Sequence, residues 1–68
     1  MGGYEMIHIK QYSRIDGKLK DSYMIHNVSS LLEMHSILTS QNGIPDRLLH
    51  NGNGFTLEYY NKIIIVNN

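Results

Sequence analysis

A chain of 68 residues without cysteine makes one small domain and excludes both disulfides and thiolate metal sites. Six basic residues balance six acidic ones, which excludes the basic excess of a dedicated nucleic-acid binder and the acidic excess of a DNA mimic. A domain of this size buries only about 60% of the surface its unfolded chain exposes, so a second subunit or a partner is a natural source of extra stability.

The absence of cysteine fits a reducing cytoplasm. The segment Met1 to Glu5 lacks the basic region and long apolar run of a signal peptide, and Met6 breaks the myristoylation pattern. The longest apolar run, Ile63-Ile64-Ile65-Val66, is far too short to span a bilayer, so no membrane partner is expected. Isoleucine, asparagine, lysine and tyrosine are abundant and alanine is absent. That bias is typical of AT-rich genomes and suggests a bacterial, phage or mobile-element source.

Residues 1–3 are expected to be disordered, with residues 4–68 as a single α+β domain. From Tyr4 to Ser13, Ile7 and Ile9 alternate with Met6, His8 and Lys10, the period of a strand. Asp16-Gly17 supplies a turn, and Leu19 to His26 returns. A three-residue loop with Gly17 in a left-handed bulge pairs Arg14 with Lys18, Ile9 with Tyr23 and Ile7 with Ile25. The opposite face then carries Met6, His8, Lys10 and Tyr12 against His26, Met24, Ser22 and Lys20. This register separates apolar from polar residues better than a two-residue loop does, and a register slip moves side chains between faces.

Ser30-Leu31-Leu32-Glu33 reads as a capping box, with Asn27 as a rival cap one turn earlier. Leu31, Met34 and Leu38 share one helix face, flanked by Leu32 and Ile37. Gly43 ends the helix. Pro45 suits a first helical position, so residues 44–50 read as one short helical turn. Asn51 to Gly54 reads as a loop. Phe55 to Tyr60 and Ile63 to Val66 form a second hairpin around Asn61-Lys62, pairing Tyr59 with Ile64 and Leu57 with Val66.

The expected fold is therefore β-β-α-β-β, one helix packed on a four-stranded antiparallel sheet. Its expected core is Ile7, Ile9, Tyr23, Ile25, Leu31, Met34, Leu38, Phe55, Leu57, Tyr59, Ile64 and Val66.

The four histidines are candidates for chemistry, and His8 and His26 lie diagonally on the outer face of the first hairpin. Zinc wants three or four ligands, no third ligand is in place, and no His-Glu-x-x-His pattern occurs. Ser22 shares that face, but no buried acid orients a base beside it. His35 is expected at the edge of the helix–sheet contact. The glycine-rich run Asn51 to Gly54 lacks the Walker lysine and the strand–glycine–helix order of a nucleotide site. No catalytic residue, cofactor or metal is expected.

Two interaction surfaces remain. Lys10, Tyr12, Arg14, Lys18 and Lys20 cluster around the first hairpin, where they could touch phosphates and stack a base. With Ile64 and Val66 inward, Ile63 and Ile65 point outward beside Tyr60, an apolar patch that one helix cannot also cover. The expected function is a non-enzymatic protein-binding module acting on a larger protein, with an inhibitor or modulator from a phage or mobile element as its specific form. Homodimerisation through Tyr60, Ile63 and Ile65, with edge pairing by the last strand, is expected as well. The alternative is a nucleic-acid-associated accessory protein using the basic hairpin, against which the neutral charge total argues.

Overall fold

The computed structural model describes residues 6–26, 28 and 30–67. The expected disorder of residues 1–3 and the rival cap Asn27 lie outside that set. The order is β1 (Ile7–Ser13), β2 (Leu19–Ile25), α1 (Leu31–Asn42), β3 (Arg47–Asn51), β4 (Gly54–Glu58) and β5 (Lys62–Asn67). The strands form one antiparallel sheet in the order β2-β1-β5-β4-β3, with α1 on one face. The described residues make a small α+β domain with five strands rather than the four expected.

The first hairpin keeps the expected register through its body: Ile7 opposes Ile25, His8 opposes Met24 and Ile9 opposes Tyr23. Its end differs. Tyr12 opposes Leu19, so Lys20 is an extra, bulged residue. Ser13 N–H donates to the Lys18 carbonyl at 3.0 Å, and four residues, Arg14 to Gly17, make the loop. The expected Arg14–Lys18 pair is thus replaced by Ser13–Lys18. Local hydrogen bonds select the longer loop: Gly17 N–H donates to the Ser13 carbonyl, Ile15 N–H to Ser13 Oγ, and Lys18 N–H to Asp16 Oδ1. Gly17 has φ +72°, the left-handed value expected of it.

Helix α1 starts at Ser30, whose hydroxyl accepts from Glu33 N–H at 3.1 Å. It stops at Gly43, where φ is +88° and the N–H returns to the Thr39 carbonyl. Met34 and Leu38 are buried, Leu31 and Ile37 half-buried, and Leu32 is 75% exposed.

Residues 44–50 do not form the expected helical turn. Arg47–Asn51 is an edge strand on β4, joined to it by the two-residue turn Gly52-Asn53. The Pro45 signal is purely local, whereas β4 has an unpaired flank that this segment can satisfy: Asp46 N–H already donates to the Glu58 carbonyl at 2.8 Å. Gly54 opens β4 where its neighbour is closest, and a Cβ there would collide with the Val66 carbonyl.

The second hairpin slides by two residues from its expected register, so Phe55 opposes Val66 and Leu57 opposes Ile64, with Tyr60-Asn61 at the turn. A shift of two keeps every side chain on its expected face. It also puts Lys62 in β5, where its ammonium donates to Asn42 Oδ1 at 2.6 Å and lies 5.4 Å from the Tyr59 ring centre. Tyr59 Oη donates to the Gly43 carbonyl at 2.7 Å, so this register ties the turn to the end of the helix.

The core is Ile7, Ile9, Val28, Met34, Leu38, Phe55, Leu57, Tyr59, Ile64 and Val66. Ile25 and Leu31 pack against it half-buried. Tyr23, expected inside, is 38% exposed because β2 is an edge strand beyond the cover of a single helix. Val28, on the approach to α1, is a core residue that strand and helix periodicity did not single out.

Candidate interaction face

Strand alternation divides the sheet's side chains into two sets. Ile7, Ile9, Leu57, Ile64 and Val66 face the helix, so their neighbours in sequence face the other way. Across that outer face, Lys10 opposes Ile65, Ile65 opposes Thr56 and Thr56 opposes Leu49. The next row runs Leu19, Tyr12, Ile63, Glu58, Arg47. Tyr12, Ile63 and Ile65 form its half-buried centre, with Leu19, Met24 and Leu49 exposed towards the edges. No described helix lies on this side.

The last strand in sequence is the middle strand in space. β5 is hydrogen-bonded to β1 on one side and β4 on the other, so it has no free edge and the expected edge pairing through it does not arise. The expected trio is also divided: Ile63 and Ile65 sit together at the centre, but Tyr60 stands at the turn tip, 85% exposed. The two-residue slide of the hairpin moved it there.

The basic cluster is likewise split. Tyr12 belongs to the apolar centre and Lys10 flanks it on β1. Arg14 joins the two hairpin tips, its N–H donating to the Asn61 carbonyl and its guanidinium to the Tyr59 carbonyl at 3.0 Å. Lys18 closes the first loop through its backbone. Lys20 lies 3.2 Å from Asp16. That carboxyl is held below the ordinary range by the Lys18 backbone N–H, then by the Lys20 ammonium. Arg14, Tyr12, Ser13, Gly17, Ile63 and Ile65 together line a shallow depression of about 470 Å³.

A second, smaller groove of about 260 Å³ lies where α1 stops short of β3, between Leu31, Leu32, His35, Leu48, His50, Gly54 and Phe55. His35 meets the Phe55 ring edge-on at 5.6 Å, the helix–sheet boundary expected for it. His50 opposes Phe55 on β3, while His8 and the exposed His26 are on the other hairpin. Among the described residues, no three His, Cys, Asp or Glu side chains are grouped to hold a metal, and no helix is long and apolar enough to cross a membrane. Burial raises the Tyr59 hydroxyl above its ordinary value, and burial with nearby Asp21 does the same at Tyr23.

Sequence reading found Ile63, Ile65, Tyr12 and Lys10 but missed Leu49, which it had placed in a helical turn. No period-two signal marks Leu49, because the adjacent pair Leu48-Leu49 does not alternate apolar with polar residues. No protein-family model, curated protein or solved structure matches the chain.

Proposed function

We propose that this protein is a non-enzymatic binding module that works by laying the open face of its sheet on a larger protein. The observation that carries this reading is the apolar centre of that face. Tyr12, Ile63 and Ile65 occupy the middle of a five-stranded sheet whose only described helix lies on the opposite side. An interface core is the usual fate of such a surface. A cytoplasmic inhibitor or modulator, encoded by a phage or mobile element, is the specific form that the small size and composition support.

The test is affinity capture from the source cell with three immobilised chains: wild type, Ile63→Thr with Ile65→Thr, and Leu32→Lys. Threonine keeps the β-branched shape that strands favour while removing apolar surface. Leu32 is an exposed control on the helix. The reading expects a protein retained by wild type and Leu32→Lys and lost from the threonine variant, with circular dichroism showing all three folded. Equal retention by all three, or loss only in Leu32→Lys, contradicts it.

A further inference from the structure

The chemistry of the covering surface can be read from the charges around the apolar centre. The outer face carries Lys10 beside Ile65 and Arg47 beside Glu58, with Arg14 bordering the depression over Tyr12, Ile63 and Ile65. Lys10 and Arg14 make no ion pair among the described residues. The Arg14 guanidinium donates to the neutral Tyr59 carbonyl, which leaves its charge uncompensated. Glu58, the one described acid on this face, lies 3.9 Å from Arg47. The remaining described acids are elsewhere: Asp16 beside Lys20 in the first loop, Glu33 in the first turn of α1, Asp46 before β3, and Asp21 opposite Gln11 on the helix side of β2. The chain is neutral overall, yet its open face is cationic at the rim.

Resting on the reading above, we infer that the occupant of this face is an acidic surface of a different protein, with carboxylates placed around an exposed apolar patch. A second copy fits poorly. It would set Lys10 and Arg14 against a face whose single described acid is already beside Arg47, and like charges across an interface disfavour it. A nucleic acid strand fits less well than an acidic protein. Binding of bases needs aromatic platforms, and the centre offers one tyrosine among isoleucines. Aliphatic side chains bordered by a few charges have the composition of a protein interface.

The probe is a display library of short random peptides panned on the immobilised full-length chain. The inference expects enriched peptides with Asp or Glu flanking aliphatic or aromatic anchors. Their affinity should fall about tenfold in Lys10→Glu, and further with Arg14→Glu added. It should also weaken as salt rises from roughly 50 to 500 mM. Thermal melting confirms that each variant folds, and Lys10→Glu alone carries the test should Arg14→Glu loosen the hairpin tips. Enriched peptides that need Ile65 but show no acidic excess overturn the charge inference and leave the binding face standing. Peptides that instead need Leu48 and His50 overturn both. No enrichment over bare support overturns the inference. So does a dimer in sedimentation that Ile63→Thr with Ile65→Thr dissolves, or submicromolar binding of oligothymidylate that Lys10→Glu abolishes.

Discussion

At the scale of single residues, the glycine least able to take a side chain is one without a positive φ. Gly54, the first residue of β4, is buried against β5, and a Cβ would meet the backbone of Val66, which cannot rotate away as a side chain could. Gly54→Ala is expected to cost about 1–3 kcal/mol or more, read as a fall in the urea midpoint. An unchanged midpoint would mean that the strands do not approach as described. Asp16 sets a different kind of test. Its folded pKa is below its unfolded one, so its contribution is complete above the ordinary carboxylate value of about 3.9 and is lost as pH falls through the folded value. Asp16→Asn should therefore flatten the acid arm of stability against pH and leave the difference between pH 5 and pH 7 unchanged. An acid arm that is the same in both proteins would show that the loop does not hold this carboxylate.

At the scale of elements, the parts read correctly from sequence are those fixed by neighbours in the chain. Ser30 caps α1 because its hydroxyl can reach Glu33 N–H whatever the rest of the chain does, and Gly43 stops it for an equally local reason. The first hairpin sets Ile7 against Ile25 and Ile9 against Tyr23 because alternation fixes the faces and the bonds among Ser13, Asp16, Gly17 and Lys18 close its loop. Apart from the four-residue first loop, which local hydrogen bonds select, what failed depends on contacts distant in sequence. Residues 47–51 become a strand because β4 has a flank to satisfy, and the second hairpin slides because Lys62 and Tyr59 find the end of α1. Tyr23 has the right alternation but lies on an edge strand, and no pattern in β2 announces that position. The two candidate surfaces share this limit. Ile63 and Ile65 were legible as outward from β5 alone, but their place in the middle of the sheet depends on β1 closing one side and β4 the other. Two predictions belong here. Leu38→Ala should cost about 2–5 kcal/mol, whereas Leu32→Ala on the exposed side of the same helix should stay within about 0.5 kcal/mol. Similar losses at both sites would mean the helix presents another face. In native-state hydrogen exchange, amides of β5 should be among the slowest and the outward amides of β2 and β3 among the fastest. Fast exchange along β5 would contradict its central place.

At the scale of the whole molecule, the arrangement is asymmetric in a way that follows from its size. One helix of twelve residues covers one side of the sheet, and the core gathers there. The other side carries an apolar centre with Lys10, Arg14, Glu58 and Arg47 around it and Leu19, Met24 and Leu49 exposed towards its edges, and the sequence spends two isoleucines on it where threonine would serve a solvated strand. The hydrogen bonds of Arg14 to the Tyr59 and Asn61 carbonyls tie the two hairpin tips together, so the depression beside them is part of a braced sheet rather than of a free loop. A braced face needs little ordering on association, which favours binding over a flexible surface of the same composition. The open face as the working surface is read residue by residue in an NMR titration of the labelled chain with the protein it retains. Shifts should concentrate at Lys10, Tyr12, Thr56, Ile63 and Ile65. Shifts centred instead on Leu32, His35, Leu48 and His50, with the outer face unmoved, would contradict the account.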